Sequence, residues 1–158
     1  MEMRDAAAGD RAGIAGIIEG AGNLTREEKD CAHELLDIYL GSPAQRDYSF
    51  IAALEAGRVI GYICYGRRPL ADRVFDLYWI IVHPDWRGKG AGTALLKHME
   101  GFLRREGGGA RLILAETSGV ESYGPARSFY LKNGFCEEAR IKDFYKQGDD
   151  IIVYVKRL

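Results

Sequence analysis

The segment "FDLYWIIVHPDWRGKGAGTALLKHMEGFL", from Phe75 to Leu103, constrains the fold more than any other part of the chain. Its first third is aromatic and β-branched, as a strand is, and Pro84 ends it. Its last third places Leu95, Leu96, Met99, Phe102 and Leu103 on one face of a helix. Between them lies "WRGKGAGT", with Gly88, Gly90 and Gly92 at alternate positions beside Arg87 and Lys89. A strand that turns through glycines into an amphipathic helix needs a sheet for that helix to cover. Helical crossovers are therefore expected somewhere in this fold.

The flanking sequence supplies the other elements. "MEMRDA" reads as a short strand, and Asp10 is placed to cap a helix carrying Ile14, Ile17 and Ile18. Thr25 followed by Glu28 is a capping-box pattern, and its helix stops near Gly41-Ser42-Pro43. "YSFIAALEAGRVIGYICYG" reads as two strands joined at Glu55-Ala56-Gly57. The helix after the glycine stretch is expected to end at Gly107-Gly108-Gly109. "ARLILAET" is a further strand, and Pro125 suits the first turn of "PARSFYLKN", which Asn133-Gly134 ends. "CEEARIKDFY" and "DIIVYVKRL" close the chain as a strand pair. The order β-α-α-β-β-β-α-β-α-β-β predicts an α/β (α+β) architecture with helices on both faces of one mixed sheet.

The 158 residues fit one domain spanning 1–158, with 47% hydrophobic and 28% charged residues. A net charge of −1 gives no bulk attraction to nucleic acid, and no apolar run reaches membrane-spanning length. Cys31, Cys64 and Cys136 form no CxxC pair and fit reduced thiols in the cytoplasm. His33, His83 and His98 show no metal-ligand spacing, so no metal is expected.

A glycine-rich entry to a helix has a chemical use. The first amides of a helix lack intrahelical partners and carry partial positive charge, and glycine lets an anion approach them. Arg87 and Lys89 add charge, so "WRGKGAGT" reads as a phosphate or pyrophosphate site. It is not a P-loop, because Gly90 rather than serine or threonine follows Lys89. It is not a GxGxxG fingerprint, because Thr93 or Leu95 stands where the third glycine belongs. A plain glycine-rich helix entry with no ligand is the structural alternative.

Arg87-Gly88-Lys89-Gly90-Ala91-Gly92 resembles motif A of the GNAT superfamily of N-acetyltransferases, Gln/Arg-x-x-Gly-x-Gly/Ala. A second block, "ARSFYLKNGF", resembles the later family pattern A-x-x-F-Y-x-x-x-G-F. The resemblance runs from about Phe75 to the C-terminus. It implies a GNAT fold, with a mixed, mostly antiparallel central sheet, and acetyl-coenzyme A as cosubstrate. It implies that Gly88, Lys89, Gly90, Ala91, Gly92 and Thr93, helped by Arg87, hold the pyrophosphate. Ile80, Ile81 and Val82 would line the pantetheine arm and offer an oxyanion amide, on a strand that diverges from the next so that the arm adds like a strand in the gap. Tyr130 matches the family tyrosine that lies near the sulfur. Asp76 and Glu116 match carboxylates that serve as base in two different branches, and both stay open, as does a water chain. Tyr123 stands where many members carry asparagine.

The implied activity is transfer of an acetyl group to a primary amine, on a small molecule or a peptide. A non-catalytic acyl-coenzyme A sensor and a dinucleotide-binding protein are the alternatives. Tyr78, Trp79, Phe144 and Tyr145 are candidates to line the acceptor pocket, and Asp149 and Asp150 to meet a cationic amine. No membrane or nucleic-acid partner is expected; a monomer and a homodimer both remain open.

Overall fold

The computed structural model describes residues 1–105 and 109–158. Its elements follow the expected order: β1 (Glu2–Asp5), α1 (Arg11–Glu19), α2 (Arg26–Gly41), β2 (Ser49–Glu55), β3 (Arg58–Arg67), β4 (Val74–Val82), α3 (Ala91–Arg105), β5 (Leu112–Ser118), α4 (Gly124–Lys132), β6 (Cys136–Lys146) and β7 (Asp149–Arg157). The seven strands form one sheet in the order β1-β2-β3-β4-β5-β7-β6. Every neighbouring pair is antiparallel except β4 and β5.

Local chemistry accounts for several boundaries. Ala56 and Gly57 both have positive φ, 49° and 75°, which turns β2 into β3 with the twist a tight hairpin needs. The Glu28 amide donates to Thr25 Oγ1 at 3.2 Å, and Glu28 Oε2 accepts from the Thr25 amide at 2.7 Å, closing the capping box of α2. At the end of α4, Gly134 takes φ 83° and Phe135 folds back to lie 5.4 Å from the Tyr130 ring.

Two expectations differ. Asp10 does not cap α1 with its side chain. Its carboxylate instead accepts from the Ala7 amide at 2.8 Å and from both Arg4 guanidinium nitrogens, at 2.6 and 3.0 Å. A charged, forked donor outbids a helix amide for a buried carboxylate. Phe102 does not share the buried face of α3; it is 40% exposed, one residue short of Leu103, which is buried. The Gly107-Gly108 part of the predicted stop lies outside the described residues, and Gly109 has φ 77°.

Each sheet face carries its own apolar layer. On one, Ile14, Ile18 and Leu36 of α1 and α2 pack with Phe50 and Tyr62 of the sheet. On the other, Leu95, Leu96, Met99 and Leu103 of α3 pack with Ile63, Ile113 and Tyr154, and Tyr130 of α4 joins them. Each fully buried Leu or Ile contributes about 1.5–3 kcal/mol, so both layers are substantial.

The feature that shapes the site is a fork. β4 and β5 pair only at Val74↔Leu112, Phe75↔Ile113 and Asp76↔Leu114. Beyond Asp76, β4 stays on β3 while β5 stays on β7, from Ala115↔Tyr154 to Ser118↔Ile151. The β3–β4 register also shifts there, from Cys64↔Trp79 to Tyr65↔Leu77, leaving Tyr78 as a bulge. A bulge bends its strand and increases the local twist, which helps β4 leave β5.

Candidate active site

The fork opens into two adjoining cavities of about 580 and 670 Å³. Tyr78, Trp79, Glu116, Thr117 and Tyr123 line both. The first reaches toward the glycine loop and includes Ile80, Ile81, Val82, Arg87, Gly92 and Tyr130. The second reaches the other way, toward α2 and the β6–β7 hairpin, and includes Glu28, Arg68, Asp76, Tyr145 and Asp149.

The open edge of β4 carries backbone donors. The His83 amide donates to Ile60 O, on the β3 side, at 2.9 Å. The Ile81 carbonyl also faces β3, 3.1 Å from where a side chain on Gly61 would begin. Strand alternation then turns the N–H and C=O groups of Ile80 and Val82 toward the fork. The Val82 carbonyl accepts from Arg87 Nε at 3.3 Å, which ties the strand end to the loop.

The three glycines of the loop have different reasons. Gly88 and Gly90 have φ 72° and 84°, and open space lies where side chains would stand. They bend the chain so that α3 starts at Ala91, and its second residue, Gly92, lines the first cavity. Gly92 sits in the helix because a Cβ there would lie 3.2 Å from the Phe129 ring of α4. Ala94 is the first residue of α3 whose amide reaches back, to Gly90 O at 2.9 Å. The amides of Ala91, Gly92 and Thr93 thus belong to the first turn, which has no intrahelical acceptor. Lys89 lies over the Trp86 ring, 5.1 Å from its centroid, and outside the cavity walls. This cradle of open-turn amides with one arginine fits a pyrophosphate, and the fork fits an extended polar arm.

Tyr130 is 7% exposed and lines the first cavity, and its hydroxyl makes no hydrogen bond among the described residues. Burial pushes its phenol pKa up, so the group is protonated at neutral pH. Asp76 and Glu116 differ in setting. Asp76, at the last paired position of the fork, is buried and accepts from Arg68 Nη1 at 2.9 Å. Glu116 lies two residues past the fork on β5, with its side chain 47% exposed, 3.6 Å from the same Arg68 nitrogen.

Of the proposed acceptor residues, Tyr78, Trp79, Tyr145 and Asp149 line the cavities. Burial pushes the Tyr78 phenol up to about 12. Asp149 is buried and accepts from Ser118 Oγ at 2.5 Å. Phe144 packs edge-on to Tyr145 and is exposed, and Asp150 pairs with Arg140 at 3.3 Å; neither lines a cavity. Sequence reasoning missed Arg68 and the Glu28–Tyr123 contact. The Tyr123 hydroxyl donates to Glu28 Oε1, joining the start of α4 to α2 across the cleft. Burial, followed by that carboxylate, pushes the Tyr123 phenol up. Tyr123 was visible as a departure from the family pattern, whereas Arg68 carried no local signal.

Among the described residues, no helix is long and apolar enough to cross a membrane and no cluster of His, Cys, Asp and Glu could hold a metal ion.

Known proteins share this fold. The profile of the acetyltransferase (GNAT) family matches residues 21–135. An uncharacterized N-acetyltransferase of Methanocaldococcus jannaschii is 29% identical over 109 residues, 68% of this chain but 65% of that protein's length. A crystal structure of a Desulfovibrio desulfuricans protein assigned to the GNAT family is 39% identical, with a TM-score of 0.92 over 99% of this chain and 98% of the other. The PaiA N-acetyltransferase of Thermoplasma acidophilum, solved with coenzyme A, shares the fold at 19% identity and a TM-score of 0.72, over 99% and 98% of the two chains. A forked sheet, a glycine loop turned into a helix and a family profile over most of its length agree: the chain belongs to the GNAT family of acetyltransferases.

Proposed function

We propose that residues 1–158 act as one acetyl-coenzyme A-dependent N-acetyltransferase domain, which moves the acetyl group directly to a primary amine of a small molecule or a peptide. The observation that carries this reading is the fork. Its open β4 edge runs from the glycine loop to a cavity that Tyr130 and Glu116 both line. The coenzyme-bound relative with the same fold and the N-acetyltransferase relatives support it.

When bound, the coenzyme supplies an activated acyl thioester. The amides of Gly88 and of Gly90 to Thr93, with the Arg87 guanidinium, would hold its pyrophosphate, whereas the Lys89 amide already donates to Trp86 O at 3.4 Å. Ile80, Ile81 and Val82 line the cavity that would take its arm, and the Ile80 and Val82 amides would offer fixed donors for an oxyanion. Tyr130 holds a proton in an apolar setting and is the donor for the departing sulfur. Asp76 is already committed to Arg68, so the proton of the attacking amine goes to Glu116, directly or through one water. Tyr78, Trp79, Tyr145 and Asp149 surround the acceptor. The three free cysteines suit a reducing compartment such as the cytoplasm.

The test is release of free thiol from acetyl-coenzyme A with a panel of primary amines and peptide N-termini. Tyr130→Phe is expected to lower kcat by about 100-fold or more while coenzyme A binding, read by calorimetry, stays unchanged. Thiol release from no amine, with coenzyme binding intact, would leave the acyl-coenzyme A sensor as the function.

A further inference from the structure

The backbone ladder between β4 and β5 stops at Asp76↔Leu114, and a side chain takes over where it ends. Arg68 is the first residue past β3, and its own amide donates at 2.8 Å to the carbonyl of Val74, the first residue of β4, so its backbone is anchored. Its Nη1 donates to Asp76 Oδ1 at 2.9 Å on one arm of the fork and stands 3.6 Å from Glu116 Oε1 on the other. Asp76 is buried and has Arg68 as its ion-pair partner among the described residues. The arginine is thus held firmly from one side and presents its charge to the other.

We infer that Arg68, held by Asp76, is the positioning residue that aims Glu116 at the acceptor amine, and that Asp76 takes no proton in the reaction. The inference rests on the proposed role of Glu116 as base. Glu116 is half-exposed on a strand that has lost its β4 partner, so its side chain has several rotamers open to it. A guanidinium fixed on the facing arm selects the rotamer that points across the fork rather than into solvent. A carboxylate placed even 1 Å wrongly loses much of its rate advantage, so the effect belongs to turnover and not to coenzyme affinity.

Removing Arg68 alone would leave Asp76 as a buried, uncompensated charge and risk the fold. The paired variant R68Q/D76N removes both charges at similar volume. It is expected to lower kcat about 100-fold with the acetyl-coenzyme A KM unchanged. Added to E116Q, the same pair is expected to cost less than about 2-fold more, because Arg68 acts through Glu116. R68K, which keeps the charge but not the planar fork, should recover part of the loss. Full activity of R68Q/D76N, or a loss that multiplies with that of E116Q, overturns the inference and leaves Glu116 as the base. Full activity of E116Q itself overturns the role of Glu116, and the inference with it.

Discussion

Gly92 shows how one hydrogen atom sets a pocket wall. A methyl group there would lie 3.2 Å from the Phe129 ring, tight enough that something must yield. Phe129 can yield, because it lines the first cavity. Alanine also gains about 1 kcal/mol over glycine inside a helix. Stability of Gly92→Ala should therefore hold, with a Tm within about 3 °C of the parent, while the displaced ring narrows the cavity. Its acetyl-coenzyme A KM is expected to rise about 10-fold, measured by thiol release at saturating acceptor. At this scale the sequence was legible where chemistry is contiguous. Arg87, the three glycines and Tyr130 lie in two short blocks with recognisable spacing. Arg68 and Glu116 are 48 positions apart and meet only because β4 lies between β3, which Arg68 follows, and β5, which carries Glu116. Glu28 read as a helix cap and is one, yet its second oxygen holds Tyr123. No local pattern announces a residue's second partner.

Among elements, β1 and α1 are joined by a charge pair rather than by a helix cap. Arg4 lies on β1, and Asp10 ends the 3-10 turn Ala8–Asp10 that leads into α1. The hydrogen bond from Arg4 holds the Asp10 carboxyl below its usual range, with the Ala7 amide adding to the effect and burial opposing it. A depressed folded-state pKa contributes stability that is present above the unfolded value and lost as pH falls through the folded one. The parent protein should thus lose Tm between about pH 5 and about pH 2 more steeply than Asp10→Asn, which cannot titrate. Equal slopes in a pH series of thermal melts would show that the pair contributes nothing to acid stability. The order of elements was legible because periodicity, caps and turns are local. The role of Asp10 was not, because a helix-capping site and an arginine on a neighbouring strand compete for one carboxylate. Phe102 failed as a core residue for a related reason: helical spacing gives a broad apolar stripe, and only packing decides its edge.

The whole molecule is two antiparallel half-sheets, β1 to β4 and β5-β7-β6, joined by the short parallel pairing at Val74, Phe75 and Asp76. A ligand lying in the fork and on the loop would touch both halves, so binding should stabilise the fold as a unit. At coenzyme A about 100-fold above its Kd, linkage gives about 2.7 kcal/mol, a rise in Tm of roughly 5–10 °C. Gly90→Asp puts a negative charge into the loop and should abolish that rise in differential scanning fluorimetry; a full rise in this variant would place the pyrophosphate elsewhere. The mixed sheet and its two covered faces were legible from the order of elements. That β4 parts from β5 was implied by the family resemblance alone; where it parts was not legible, since "DLYWIIV" and "ILAETS" read as ordinary strands by their residues.

The fork also makes β4 its own reporter. An interior strand normally protects every amide from exchange with deuterated solvent, because neighbours on both sides hold them. Here Ile81 is held by β3, while Ile80 and Val82 face the opening. Deuterium uptake should alternate residue by residue along the very centre of the sheet, fast at Ile80 and Val82 and slow at Ile81. An extended ligand that hydrogen-bonds to that edge would erase the alternation without moving the backbone.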